Sequence, residues 1–330
     1  MILSYRDRGG ILPGRGPTAV PRSPVAFQEG RGPLLVELVQ TTTRDGVRLD
    51  GALQTPPADR APALGVAGVC FLHGTGGNFY GSTLFDAFAE RFLDLGCAVL
   101  RVNTRGHDGI STAVTARGGR RLGAAYEVVD DCRHDVAAWL DFLRQRVGPH
   151  VALLGHSLGA VKCLYALAQE PQHRPAALVA VSPPRLSYSW FCTSPQGPEF
   201  LETYQRAERL VQDNQPAALL DVKLPLPFVI TAAGYVEKYG PDERYNYLRF
   251  LGSVPCPVLV TLGSVEAENN MAFRGAAEEI AALGARRPSL AVTTIAGADH
   301  FYTGVRREVV AAVESWLRRI PSPPNPGETP

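Results

Sequence analysis

Ser157 stands in Gly155-His156-Ser157-Leu158-Gly159, after a short apolar run, Val151 to Leu154, and before a helical stretch carrying Ala160, Val161, Cys163, Leu164, Ala166 and Leu167. A strand that passes through G-x-S-x-G into a helix holds the serine on a tight turn, its hydroxyl above the sheet end and the helix amides aimed at the same point. A Cβ at Gly155 or Gly159 would clash with the adjoining strand or helix. A serine hydroxyl is a weak nucleophile near neutral pH and needs a base to take its proton. Of the seven histidines, His300 lies between the last strand-like run and the last helical one, downstream of the serine and of an acid. That is the order Ser, Asp/Glu, His. His156 adjoins the serine, but neighbours on such a turn point in different directions, and His73 reads as a brace for the glycine-rich loop it opens. The base in turn needs a carboxylate to hold its tautomer. Gly263-Ser-Val-Glu-Ala-Glu268 follows an apolar run and offers Glu266, with Glu268 as the alternative. Charge developing on a substrate carbonyl needs preorganised N–H donors. Leu158 supplies one, and His73-Gly74-Thr75-Gly76-Gly77 supplies the second, from Thr75, with Gly74 and Gly76 letting a substrate approach the backbone.

The elements that must carry these groups follow from periodicity. Leu35 to Thr43 and Val47 to Gln54 read as strands joined at Arg44-Asp45-Gly46, a hairpin signal. Strands are expected at Val69–Leu72, Cys97–Val102, Val151–Leu154, Ala176–Val181, Pro257–Leu262 and Leu290–Ile295. Helices are expected at Thr83–Leu95, Asp130–Arg146, Glu199–Asn214, Met271–Leu283 and Val305–Ile320. Residues 109–127, rich in Gly and Arg, read as irregular. Repeated βα units imply a mostly parallel sheet with helices on both faces, whose ligand sits at the carboxyl ends of the strands. Ser157, His73-Gly74, Glu266 and His300 each fall just after a strand. Four distant segments therefore bring candidate groups to one sheet edge.

Composition excludes other classes. At 330 residues the chain can bury a large core, and 45% hydrophobic with 20% charged residues is ordinary for a soluble globular protein. A net charge of +1 makes no electrostatic case for nucleic acid. No apolar run reaches the roughly 18 residues of a membrane span, and the first residues are too polar for a secretory signal. The six cysteines show no C-x-x-C and read as reduced core residues of a cytoplasmic protein. No His, Cys or carboxylate cluster has metal-ligand spacing, and no phosphate-loop pattern is present, so neither metal nor cofactor is expected.

The set Gly155-His-Ser-Leu-Gly159, His73-Gly-Thr-Gly-Gly77, Gly263-x-x-Glu266 and Asp299-His300 resembles the α/β-hydrolase superfamily over roughly residues 35–320. The loops His73–Tyr80 and Asn103–Asp108 resemble its esterase-like members more particularly. The resemblance implies an eight-stranded, mostly parallel sheet with one antiparallel strand, helices on both faces, and a helical lid inserted after the sixth strand. It also implies hydrolysis through an acyl-serine. Most members carry Asp where this chain has Glu266. The organisation expected is an irregular arm (1–33), a core in two parts (34–183 and 255–320), a lid (184–254) and a disordered tail (321–330). In the lid, Trp190 and Phe191 are the aromatics expected to face substrate, with Gly74, Gly76 and His156 completing the pocket. The expected partner is a small-molecule ester or other acyl substrate, handled by a monomer or homodimer. Acyl transfer, thioester or amide hydrolysis at the same site, or a non-catalytic ligand-binding role, are the alternatives.

Overall fold

The computed structural model describes residues 36–321. The expected N-terminal arm, and the tail beyond Pro321, lie outside the described residues. In chain order the elements are β1 (Val36–Thr42), β2 (Arg48–Gln54), β3 (Gly68–Leu72), α1 (Thr83–Asp94), β4 (Ala98–Val102), β5 (Ser111–Thr115), β6 (Gly118–Leu122) and α2 (Cys132–Val147). Then come β7 (Val151–His156), α3 (Leu158–Gln169), β8 (Ala177–Val181), α4 (Tyr188–Thr193), α5 (Gly197–Gln212), β9 (Leu219–Val222), β10 (Phe228–Thr231) and α6 (Ala232–Tyr239). The last are β11 (Val258–Gly263), α7 (Ser264–Asn269), α8 (Ala276–Gly284), β12 (Leu290–Ile295) and α9 (Arg306–Leu317).

Eight strands form one sheet in the order β1-β2-β4-β3-β7-β8-β11-β12. Only β2 runs against its neighbours; the pairings from β4 across to β12 are all parallel. The central strands β3 and β8 carry no polar side chain, and β4, β7 and β11 one each, because both faces are covered. Val69, Phe71, Val99, Leu154 and Val179 pack against α1 and α9 on one side. Cys70, Leu72, Leu100, Leu153 and Ala180 pack against α2, α3 and α8 on the other. The α1 stripe of Leu84, Phe85, Phe88 and Phe92 is buried as its spacing predicts, and the Ser82 hydroxyl caps the helix by accepting from the Phe85 amide at 3.2 Å.

Three segments depart from the periodicity reading. Residues 109–127 contain a β-hairpin, β5–β6, turned where Gly118 takes a φ of 105°; its β-branched residues outweigh the Gly and Arg content. The expected helix from Met271 begins only at Ala276, because Gly275 takes a left-handed φ of 71°. The stretch holding Glu266, outside the expected helices, is the short helix α7. Between β8 and β11, the segment 184–254 holds α4, α5, the β9–β10 hairpin and α6. Its aromatics pack on one another, Phe191 on Phe200 at 5.3 Å and Tyr235 on Tyr239 at 4.9 Å between ring centroids. Among the described residues no helix is long and apolar enough to cross a membrane, and all six cysteines are unpaired.

A buried ion pair fixes the loop after β4. Arg105, only 1% exposed, donates from Nε and Nη2 to Asp135 of α2 at 2.9 and 2.8 Å, and its own amide donates to the same carboxylate at 2.8 Å. Removing one partner of such a pair strands the other charge. Arg105→Met is expected to lower unfolding free energy by about 3–5 kcal/mol, read from urea denaturation; a loss below about 1 kcal/mol would show that the pair behaves as a surface contact.

Candidate active site

β7 lies in the middle of the sheet and delivers Ser157 at its carboxyl end. The serine takes φ 56° and ψ −128°, with its amide donating to Val181 O of β8 at 2.9 Å. A non-glycine residue in this region is strained and persists only where its surroundings impose it. They do so here through three glycines. A Cβ on Gly155 would lie 2.5 Å from the Gly159 carbonyl carbon, and one on Gly159 would lie 2.3 Å from Leu72 O. A Cβ on Gly74 would lie 2.8 Å from Ser157 Cβ. The loop after β3 is thus pressed onto the serine.

The expected partners converge at the same edge. His300, after β12, approaches Glu266 Oε2 with Nδ1 at 2.8 Å. A carboxylate only accepts, so Nδ1 carries the proton and Nε2 is left as the basic nitrogen. Glu266 is buried; its Oε1 accepts from the Gly263 amide at 2.7 Å and from the Ser182 hydroxyl. Ser182 in turn contacts the Tyr302 hydroxyl, which also meets Thr261 Oγ1 at 2.9 Å. Glu268 is exposed, and its backbone carbonyl accepts from Arg274; of the two acids, the structure brings Glu266 to His300. Asp299 faces the other way, its Oδ1 accepting from the Phe301 and Thr303 amides.

Ser157, His300, His156, Gly74, Thr75 and Gly76 line one cavity of about 700 Å³. Leu158 opens α3 directly behind the serine. Trp190 and Phe191 do not line this cavity, contrary to expectation. Phe191 is fully buried against Phe200, while Trp190 donates from Nε1 to Met271 O at 2.7 Å beneath the Arg185 guanidinium. Each finds its partners inside the insertion and beside α8. The insertion contributes Leu226, Pro227, Phe228 and Val229 instead. Their signal in the sequence is the apolar, proline-punctuated turn Leu224-Pro-Leu-Pro-Phe228, since such a turn otherwise leaves apolar side chains in water.

His73 and His156 have structural partners that settle their protons. The Thr104 amide donates to His73 Nε2 at 3.1 Å, so Nδ1 carries the hydrogen and donates to Gly74 O at 2.8 Å. His156 donates from Nε2 to His300 O at 2.8 Å, which ties the serine turn to the histidine loop. Burial lowers both, His73 to about 4, helped by the nearby Lys162 charge, and His156 to about 3, helped by His300. The loops His73–Tyr80 and Asn103–Asp108 are stitched together: Phe79 N donates to Asn103 Oδ1, Asn78 Nδ2 to Asp108 Oδ1, and Asp108 N to Gly77 O. Among the described residues no group of three or more His, Cys, Asp or Glu side chains is placed to hold a metal ion.

The model of the alpha/beta hydrolase family matches residues 71–313, most of the chain. The chain belongs to the α/β-hydrolase family. Solved α/β hydrolases share its fold at low identity. An esterase from Pyrococcus furiosus is 17% identical with a TM-score of 0.56, covering 87% of this chain and 91% of its own. Est1E from Butyrivibrio proteoclasticus, with ferulic acid bound, is 19% identical with a TM-score of 0.58, covering 86% and 99%. The α/β hydrolase GrgF from a Penicillium species is 16% identical with a TM-score of 0.62, covering 87% and 99%. No curated protein sequence matches the chain.

The imidazole assignments have a measurable consequence. Long-range 1H–15N NMR is expected to find His73 as the Nδ1–H and His156 as the Nε2–H tautomer, neither titrating between about pH 5 and 8. Unfolded imidazoles protonate near pH 6.5, so below about that pH the unfolded chain binds more protons and stability falls with acidification. A ring titrating near its ordinary value would overturn the assignment for that residue.

Proposed function

We propose that this α/β hydrolase is a serine esterase, cleaving a carboxylic ester through an acyl-serine intermediate. Ser157 Oγ attacks the ester carbonyl while His300 Nε2 takes its proton. Glu266 holds the imidazole and stabilises its charged form. The amides of Thr75 and Leu158 receive the oxyanion. The tetrahedral intermediate collapses as His300 returns the proton to the departing alcohol. Water, deprotonated by His300, then attacks the acyl-serine and releases the acid. The observation that carries this reading is the 2.8 Å contact of His300 Nδ1 with Glu266, at the cavity that Ser157 lines. The fold shared with the Pyrococcus esterase and with Est1E supports an ester as substrate. The segment 184–254 acts as the lid, its 226–229 stretch closing the cavity. Six unpaired cysteines support a cytoplasmic setting.

The cavity also speaks for the kind of ester. Among the described residues that line it, none is Lys, Arg, Asp or Glu, and its walls include Leu84, Phe85, Leu226, Phe228, Val229 and Phe301. A charged group buried there would lose hydration without gaining a partner. The substrate is therefore a neutral ester with a substantial apolar group, since about 700 Å³ is within the range of drug-sized ligand sites.

Two experiments test this. Ser157→Ala should abolish both hydrolysis of p-nitrophenyl acyl esters and labelling by a fluorophosphonate, and Glu266→Gln should lower kcat by about 10²–10⁴-fold. Glu268→Gln should stay near wild type. A Glu268→Gln loss as large as that of Glu266→Gln would sink the triad assignment. Across an ester panel, neutral acyl chains should exceed chains of equal length ending in a carboxylate by at least about tenfold in kcat/KM; equal rates would refute the neutral-substrate reading.

A further inference from the structure

Beneath the cavity lie three buried charges that the proposed chemistry does not use. Glu127 is 2% exposed, Lys162 of α3 is 1% and Lys238 of α6 is 3%. Lys162 Nζ lies 2.6 Å from Glu127 Oε2, and Lys238 Nζ lies 3.4 Å from Oε1. Two ammonium groups share one carboxylate. The packing around it has no slack, since a Cβ on Gly106 would overlap Glu127 Oε2. The next carboxylate along α6, Glu237, accepts from the Tyr245 hydroxyl. For stability alone one lysine would serve, and an apolar replacement often serves better. The charge of Glu237 also acts on Lys238, but net stability does not by itself account for burying the whole group.

Each lysine leads to a different lining segment of the cavity. Lys162 Nζ also donates to Thr104 Oγ1 at 3.2 Å. The Thr104 amide and hydroxyl both meet His73 Nε2, and His73 Nδ1 donates to Gly74 O, next to Thr75. Lys238 Nζ instead sits 5.2 Å from the centroid of the Phe228 ring, which lines the cavity from the 226–229 stretch, a distance at which a cation is attracted to the ring face. We propose that the Lys162–Glu127–Lys238 cluster anchors both walls of the cavity, with Lys162 a positioning residue for the oxyanion loop and Lys238 one for the substrate-facing wall at Phe228. This rests on the serine-esterase reading.

Removing either lysine still leaves Glu127 with one cation, so both variants are expected to fold. The test uses the full chain, with fluorophosphonate titration giving the active fraction and a neutral p-nitrophenyl ester giving kcat and KM per titrated site. Lys162→Met should lower kcat about tenfold or more with KM within about twofold, as loss of a transition-state interaction does. Lys238→Met should raise KM about fivefold or more with kcat within about twofold, as loss of uniform binding does. Thr104→Val should follow Lys162→Met, Thr104→Ser should restore wild-type kcat, and Thr104→Val added to Lys162→Met should cost little more, because the two act through one contact. The proposal fails if both lysine variants change only the titratable fraction, if both act on the same kinetic constant, or if Thr104→Val matches wild type. Should Lys162→Met not fold, the Thr104 pair decides the loop half. A wild-type protein that takes no label and turns over no ester would instead overturn the Ser157 reading itself.

Discussion

The left-handed backbone at Ser157 is the constraint on which the remaining architecture depends. A non-glycine residue there costs about 1–3 kcal/mol, and no local preference supplies that energy. The surroundings do. The serine amide bonds to β8, β7 is locked between β3 and β8, and the glycines at 74, 155 and 159 allow backbone to close on the turn from three sides. Relaxing the serine would require moving the centre of the sheet. The strain thus keeps the hydroxyl aimed at the strand ends.

A second convergence is built on one carboxylate. Glu266 receives the Gly263 amide at the end of β11, the Ser182 hydroxyl at the end of β8 and the His300 ring beyond β12. Three neighbouring strands meet at a single side chain. The longer reach of Glu is taken up by α7, whose first turn folds the carboxylate back onto the Gly263 amide. The His156 bond to His300 O joins this assembly to the serine turn. The proposed nucleophile, base and acid are held in one frame of hydrogen bonds, most of it buried and so strengthened by low local polarity.

Next to the glycine-rich loop after β3 the molecule replaces apolar packing with charge. Arg105–Asp135 and the Glu127 cluster both hold the loop Asn103–Asp108, one through Arg105 and the other through Thr104. Buried ion pairs contribute little net stability but impose definite geometry where every donor is matched. Here the geometry passes through Thr104 and His73 to the backbone that lines the cavity.

Local patterns made most of this architecture legible. Alternating and continuous apolar runs located all eight strands of the main sheet within a residue or two, because strands covered on both faces must be apolar throughout. The G-x-S-x-G turn, the glycine loop and the order serine, acid, histidine are short-range or ordinal features, and they brought the right segments to one edge before any contact was known. Contacts between distant segments decided the rest. Glu266 rather than Glu268 meets His300 because α7 rotates one inward and the other into water. Trp190 and Phe191 turn away from the cavity because the insertion offers them Phe200, Met271 and Arg185, while the apolar turn at 226–229 lines the wall instead. Lys162 and Lys238 carry no sequence signal, since a lysine on a helix ordinarily faces solvent; only the packing of α3 and α6 around Glu127 buries them together. The sequence by itself determined the strands of the main sheet and which groups reach their ends. The tertiary structure decided which side chains touch, because contact depends on the rotation and packing of segments that periodicity does not relate.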